Sequence, residues 1–178
     1  MTRAFVAVRL PEAVLDAVAT RVSDISVPGR PTTRAQWHLT LQFLGDDADV
    51  DAVTAALDGI EEPRGQARIG GAGAFPDARR ARVLWLGLVE GEELVARLAR
   101  AVIGRMVPLG YVADDRPFRP HLTLARFREP ADVRPTIASL GDAPVGAAWE
   151  IDAVTLYESR LQSGGPEYVE RATIPLRS

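Results

Sequence analysis

Apolar residues are grouped along the chain into short runs that polar turns separate. Runs of this length, rich in β-branched and aromatic residues, are typical of buried strands. The pattern predicts strands at 4–8, 37–44, 67–75, 83–89, 117–127, 151–158 and 168–176. Between the last two strands, the sequence 163–166 (Ser-Gly-Gly-Pro) indicates a hairpin turn.

Several of the segments between these strands have their apolar residues at helical spacing. The spacing predicts one helix that opens at Pro11 and Glu12, one that follows capping carboxylates in 46–51, and further helices at 92–107 and 131–140. Strands and helices therefore alternate, and no Pro/Ser-rich linker divides the chain. With 178 residues, against about 150 for a typical domain, we expect one domain over residues 1–178.

The composition excludes several classes of protein. Cysteine is absent, which excludes disulfide scaffolds, thiol catalysis and cysteine-based metal sites. All 21 basic residues are arginine, which excludes a lysine Schiff base. The net charge of −3 excludes a strongly basic nucleic-acid coat protein, so any RNA contact must be local.

The longest apolar runs are short. The N-terminal run ends at Arg9, too early for a signal peptide, and the run 83–89 is too short to cross a bilayer. We therefore expect a cytoplasmic protein with no membrane partner.

One tetrapeptide occurs twice, as His38-Leu39-Thr40-Leu41 and as His121-Leu122-Thr123-Leu124. These copies contain both histidines of the chain. Because side chains alternate along a strand, each copy would direct its leucines into a core and its His and Thr into a cleft. A single histidine on a strand is usually structural, but two copies indicate an internal duplication that could bring the histidines face to face.

A pair of imidazoles can supply a general base and a general acid in one pocket, because histidine titrates near neutral pH. Threonine hydroxyls and a protonated imidazole are donors suited to phosphoryl oxygens. The residues therefore predict displacement by water at phosphorus.

The flanks of the two copies resemble the two-histidine (2H) phosphoesterases, and most closely the RNA 2',3'-cyclic phosphodiesterases, formerly called 2'-5' RNA ligases. The resemblance covers nearly the whole chain. It is carried by the segments 3–7, 37–45, 84–87, 118–126, 156–159 and 165–168.

The resemblance implies an α+β fold of two lobes, each a mainly antiparallel sheet with outer helices, around a central cleft. It implies hydrolysis of an RNA 2',3'-cyclic phosphate end to a 2'-phosphate without metal or other cofactor. In that reaction His121 would be the proton acceptor and His38 the proton donor. Thr40, Thr123 and Arg126 would hold the phosphate, although strict alternation places Arg126 on the wrong face unless the strand contains a bulge.

Other residues near the two copies are less clearly assigned. We expect Phe118 to stack on a base, Phe43 to lie in the core, and Tyr157 and Tyr168 to be packing residues. Four arginines flank the second copy, and they form either a positive rim for RNA or a solvated surface with ion pairs to neighbouring aspartates. These four are Arg116, Arg119, Arg126 and Arg128.

Four alternatives remain open from the residues. The histidines could bind a metal, although zinc usually takes three or four ligands and threonine is a poor one. The same chemistry could act on another small cyclic nucleotide, or could run in reverse as 2'-5' ligation. The protein could also bind RNA ends without turnover. We expect an RNA 3' end or small nucleotide as the partner, and a monomer.

Overall fold

The computed structural model of the chain describes residues 2–178, which form two β-sheets and four α-helices. The strands are β1 Ala4–Val8, β2 Arg30–Pro31, β3 Leu39–Gly45, β4 Gly65–Phe75, β5 Ala81–Glu90, β6 Leu122–Ala131, β7 Pro144–Ile151, β8 Ala153–Gln162 and β9 Gly165–Pro175. The helices are α1 Glu12–Ser23, α2 Val50–Leu57, α3 Glu92–Met106 and α4 Arg134–Leu140. Short 3-10 turns cover Arg34–Gln36 and Val107–Leu109.

The two sheets place their motif strands in the same way. The first has the strand order β3-β1-β8-β9, and the second has the order β2-β6-β5-β4-β7. All named strand pairs are antiparallel. In each sheet the strand that follows a histidine pairs with the sheet strand that precedes it in the chain, β3 with β1 and β6 with β5, so β6 corresponds to β3. The predicted α+β fold of two mainly antiparallel sheets is confirmed, and the two tetrapeptides lie on corresponding strands.

The helices join the two sheets. Helix α1 follows a strand of the first sheet but packs on β7 of the second, while α3 follows β5 of the second sheet and packs on β3 of the first. The apolar positions that predicted these helices are the buried ones, among them Val14 and Val18 in α1 and Leu98 and Val102 in α3. Burial of these side chains from both halves makes one continuous core.

Most predicted boundaries differ from the structure by a few residues, and two strands were not predicted. Strand β6 begins at Leu122 instead of 117, because Pro117 and Pro120 lack the N–H that a ladder needs. Helix α4 begins at Arg134, since 131 still belongs to β6. Strand β7 was not predicted: its small residues and Gly146, at φ +73°, weaken the alternating pattern. The two-residue strand β2 lies at a sheet edge, where Pro31 is tolerated.

None of the helices formed by the described residues combines the length and apolar character that spanning a membrane requires.

Two glycines at helix α3 should respond in opposite directions to alanine. Gly91 precedes the helix at φ +85°, and a Cβ there would lie 2.5 Å from the backbone oxygen of Gln66. We expect Gly91→Ala to lower the free energy of unfolding by at least about 2 kcal/mol. Gly104 lies within the helix with open space around it, so Gly104→Ala should raise that free energy by about 0.5–1 kcal/mol. Urea denaturation of both variants tests this contrast, and equal effects would contradict it.

Candidate active site

The two motif strands, β3 and β6, share one burial pattern. In each strand the two leucines of the tetrapeptide are buried, while the threonine between them is partly exposed. His38 and His121 immediately precede these strands. The alternation predicted from the sequence is therefore present in both copies, with His and Thr on one side and Leu on the other.

A β-bulge lies at the last residue of each tetrapeptide. Along β3 the partners of consecutive β1 residues jump from Thr40 to Gln42, so Leu41 is an extra residue. Along β6 the partners of consecutive β5 residues jump from Thr123 to Ala125, so Leu124 is extra. Beyond an extra residue, side chains that would otherwise point to one face of the strand point to the other face.

The bulges bring two further side chains to the histidine face. Arg126 follows the second bulge and joins His121 and Thr123, so the bulge that this arginine requires is present. Phe43 occupies the corresponding position after the first bulge and is 55% exposed. The prediction that Phe43 lies in the core is therefore wrong, because strict alternation was assumed across the bulge.

His38, Thr40, His121, Thr123 and Arg126 all line one cavity of about 460 Å³, a volume suited to a small ligand. The cavity is lined by side chains from both sheets and from the segment before β3. Its lining residues are Arg3, Phe5, Thr32, Gln36, His38, Thr40, Phe43, His121, Thr123, Arg126, Ser159, Leu161, Pro166 and Tyr168.

The ring of His38 is held from several sides. It stacks on Phe5, with 4.7 Å between ring centroids, and meets the edge of Tyr168 at 5.2 Å. The backbone carbonyl of Gln36 accepts a hydrogen bond from the ring, and Nε2 lies 2.9 Å from Oγ1 of Thr40. Because a carbonyl can only accept, the other nitrogen, Nδ1, carries a proton and Nε2 is left to exchange one.

His121 is held in a similar way in the second sheet. Its Nδ1 lies 2.8 Å from the backbone oxygen of Arg119, to which it donates, so Nε2 is free for proton exchange. The ring meets Phe75 edge-on at 4.9 Å. Trp85 is 6.2 Å away, and the guanidinium of Arg119 lies over that indole at 4.9 Å. Each histidine is thus oriented by the carbonyl of the residue two positions earlier.

Burial and positive charge favour the neutral form of both imidazoles. Burial lowers the pKa of His38 from 6.5 to about 4, with smaller contributions from the charges of His121 and Arg126. Burial also lowers the pKa of His121, and Arg126 and Arg119 act in the same direction. The charge of His121 also lowers the pKa of His38, so protonation of one ring disfavours protonation of the other.

The low pKa of His38 predicts a loss of stability in acid. Between the unfolded value of 6.5 and the folded value of about 4, the unfolded chain binds a proton that the folded chain does not. The free energy of unfolding should therefore fall by roughly 2 kcal/mol from this residue as pH drops from 7 to about 5. His38→Asn should be less acid-sensitive by that amount in urea denaturation at the two pH values. An equal loss in both proteins would contradict the shift.

The sequence analysis did not assign some of the residues that line the cavity, and it assigned one residue that does not line it. Tyr168, predicted to be a packing residue, also lines the cavity: its ring meets His38 edge-on, and Gln36 joins the turn before β3 to Pro166 of β9. Arg3 and Gln36 also line it; Arg3 lies in the segment 3–7 of the family resemblance, but neither residue was assigned a role from the sequence. Phe118 is 39% exposed and does not belong to the lining. Tyr157 packs on Phe5, as predicted.

The described residues contain no group of three or more His, Cys, Asp or Glu side chains placed to hold a metal ion. Neither histidine has a carboxylate partner within residues 2–178, and each has its Nδ1 occupied by a carbonyl. The donors present around the cavity are hydroxyl, imidazole and guanidinium groups, which suit an anion.

Comparison with known proteins gives consistent matches. A family model described as the 2'-5' RNA ligase superfamily matches residues 9–162. A relative from Thermus thermophilus, named RNA 2',3'-cyclic phosphodiesterase, is 34% identical over 189 residues, covering 98% of this chain and 90% of the relative.

Solved structures match over the same extent. Escherichia coli LigT complexed with 3'-AMP has a TM-score of 0.83 and 25% identity, covering 99% of each chain. A crystal structure from Thermus thermophilus has a TM-score of 0.77 and 30% identity, covering 98% of each chain.

Proposed function

This chain belongs to the 2'-5' RNA ligase superfamily, and we propose that it hydrolyses the 2',3'-cyclic phosphate at RNA 3' ends to a 2'-phosphomonoester. The observation that carries the proposal is the convergence of both His-x-Thr copies on one cavity. Relatives named RNA 2',3'-cyclic phosphodiesterase and the LigT complex with 3'-AMP support it.

The proposed reaction is one displacement at phosphorus. A water molecule attacks the phosphorus, and Nε2 of His121 takes its proton. The bond from phosphorus to the 3' oxygen breaks, and that oxygen takes a proton from Nε2 of His38. The product has a 3' hydroxyl and a 2' phosphate, and the two histidines have exchanged protonation states. The carbonyls of Gln36 and Arg119 hold the rings for this transfer.

Thr40, Thr123 and Arg126 are proposed to bind the phosphoryl oxygens. Their hydroxyl and guanidinium donors line the cavity beside the two histidines. Negative charge grows on these oxygens as water adds, so donors fixed in advance stabilise the transition state more than the ground state.

Bound substrate is expected to raise the pKa of His38, so that its ring becomes protonated. Its pKa of about 4 leaves the free ring mostly neutral at pH 7. A phosphate anion within hydrogen-bond reach of Nε2 favours the imidazolium and raises that pKa. Substrate binding therefore produces the protonated His38 ring that the reaction needs. The Thr40 hydroxyl, which lies 2.9 Å from Nε2 in the free protein, then donates to the phosphate.

A residue other than Phe118 is the better candidate for stacking on a nucleobase. Phe43 and Tyr168 are aromatic residues in the cavity lining, and Phe43 is 55% exposed there, whereas Phe118 does not line the cavity. We assign base stacking to Phe43, because a partly exposed aromatic face next to the phosphate donors suits the terminal base.

We further propose that the reaction needs no metal or other cofactor and that the protein acts as a cytoplasmic monomer on RNA 3' ends or small nucleotides. The donor set suits an anion, and a chain without cysteine fits a reducing compartment. Excess chelator should leave the rate unchanged. Loss of activity in chelator, restored by a divalent cation, would contradict this part of the proposal.

Product analysis tests the reaction itself. An oligoribonucleotide ending in a 2',3'-cyclic phosphate is incubated with the protein, and the monoester is identified by its resistance to an enzyme specific for 3'-phosphates. We expect only the 2'-phosphate. Formation of the 3'-phosphate would contradict the assigned leaving group, and binding of the oligonucleotide without any product would favour an RNA-end-binding module. Joining to a 5'-hydroxyl strand would reveal the reverse reaction.

A further inference from the structure

Arginines on the second sheet differ from the other arginines in their partners. Arginines of the helices and the first sheet mostly pair with carboxylates, as Arg34 does with Glu12 and Asp16 and Arg160 does with Glu158. Beside the cavity, five exposed arginines of β5, β6 and the β4–β5 turn form no ion pair with any carboxylate of residues 2–178. They are Arg79, Arg80, Arg82, Arg126 and Arg128.

The strand register connects these residues to the cavity. Phe75, Val83, Arg126 and Arg30 are successive partners across β4, β5, β6 and β2, so their side chains share one face. Phe75 packs on His121 and Arg126 lines the cavity, so this is the cavity face. Arg128 follows Arg126 on the same side of β6, with the buried Phe127 between them.

The remaining arginines lie on the far side of Arg126, along β5, β6 and the β4–β5 turn. The guanidinium of Arg82 donates to the backbone oxygen of Arg128. Arg79 and Arg80 lie in the β4–β5 turn, with their N–H groups held by Asp77. We refer to Arg79, Arg80 and Arg128 as the outer arginine patch.

Nearby carboxylates neutralise the outer arginine patch only in part. Asp132 is paired with Arg134, and Asp77 is engaged by the backbone of the turn. Glu129 is the remaining acidic residue on this end of β6. A locally positive surface therefore persists on a chain whose net charge is −3.

The opposite side of Arg126 is closed. Arg30 is its partner on β2, and a Cβ added at Gly165 would lie 3.6 Å from Nη2 of Arg30. The β8–β9 hairpin of the first sheet and β2 of the second therefore meet there, and Gln36 adds a hydrogen bond of 3.0 Å to Pro166. The way along β6 on the other side of Arg126 leads from the cavity to the outer arginine patch.

We propose that the outer arginine patch binds the phosphates of the RNA nucleotides immediately 5' to the cyclic end, an inference that rests on the proposed function. Arginine presents a fork of donors that matches phosphate oxygens. Two residues along a strand advance about 6.6 Å, a step comparable to one nucleotide of an extended single strand. The patch therefore makes oligonucleotides better substrates than cyclic mononucleotides.

The test compares two substrates on two triple variants. The substrates are a cyclic 2',3'-mononucleotide and a single-stranded decamer with the same cyclic end. The patch variant is Arg79→Gln, Arg80→Gln and Arg128→Gln; Arg82 is kept because it bonds β6. The control variant removes three exposed arginines elsewhere, by Arg9→Gln, Arg100→Gln and Arg177→Gln.

We expect the patch variant to lose about 10- to 100-fold in kcat/KM on the decamer and less than about twofold on the mononucleotide. The slope of log kcat/KM against log salt on the decamer should become shallower by about 2, since each lost phosphate contact contributes about 0.7. The control variant should change neither. Equal losses on both substrates, equal losses in both variants, or no loss on the decamer would overturn the proposal.

Binding separates this inference from the proposed activity. If the wild-type protein hydrolysed neither substrate, the proposed function would fail while the patch could still be tested. Fluorescence anisotropy with a decamer ending in a 2'-phosphate then measures Kd directly. A Kd that is about 10- to 100-fold weaker in the patch variant supports the surface, and an unchanged Kd overturns it.

Discussion

Replacing either His38 or His121 with alanine should lower kcat by about 10²- to 10⁴-fold while the fold is retained. Each ring has one nitrogen fixed by a backbone carbonyl and the other open to proton exchange. Removing one ring leaves either the attacking water without an acceptor or the 3' oxygen without a donor. Single-turnover rates on a cyclic mononucleotide measure the loss, and circular dichroism with thermal melting measures the fold.

The double variant provides a sharper test of cooperation between the rings. If His38 and His121 act in one step, the double variant should lose little more than the worse single variant, because groups that act as a unit are not additive. Val89→Ala is a suitable control, since Val89 is exposed and does not line the cavity. Wild-type turnover in either single variant would end the assignment of that histidine.

Arg126→Gln should lower kcat by about 10²- to 10³-fold, the usual cost of removing one donor to a developing oxyanion. Glutamine is uncharged, shorter and has fewer N–H donors, so the loss reports the whole contribution of the guanidinium to stabilising the phosphoryl oxygens. Arg128→Gln is the matched control on a cyclic mononucleotide, because Arg128 lies on the same strand face outside the cavity lining. Equal losses in the two variants would contradict a specific role for Arg126.

The same substitution has an electrostatic signature that does not depend on turnover. The charge of Arg126 lowers the pKa of both His38 and His121, so its removal should raise both values. The chain has two histidines, so NMR titration of Arg126→Gln follows both rings, and the single histidine variants assign them. Unchanged pKa values would show that this guanidinium does not face the pair.

Much of the fold could be predicted because the buried positions of helices and strands recur at characteristic spacings in the sequence. The run 4–8 is buried throughout and forms β1 at the predicted bounds. Helix α3 ends one residue from its predicted end, because its apolar stripe runs its whole length. The duplicated tetrapeptide predicted corresponding strands facing one cleft, and β3 and β6 are such strands.

The remaining features depend on tertiary contacts that a linear pattern does not contain. A bulge at Leu41 or Leu124 leaves no sequence signal, since leucine fits either face, and so Phe43 was misassigned. Tyr168 reaches the cavity through the pairing of β8 with β1 and β9. The roles of the site residues, the single domain over 1–178 and the monomeric state stay predictions.

The pH dependence of kcat/KM tests most directly whether two imidazoles act together on one phosphorus. The wild-type protein should give a bell whose apparent pKa values belong to the pair and lie on the acid side of 6.5, because burial lowers both. Bound phosphate should move the alkaline limb of the kcat profile to higher pH. His121→Ala should lose the acid limb, and His38→Ala should lose the alkaline limb. A profile that is flat between about pH 5 and pH 9, or a bell that survives in either variant, would contradict paired acid–base catalysis.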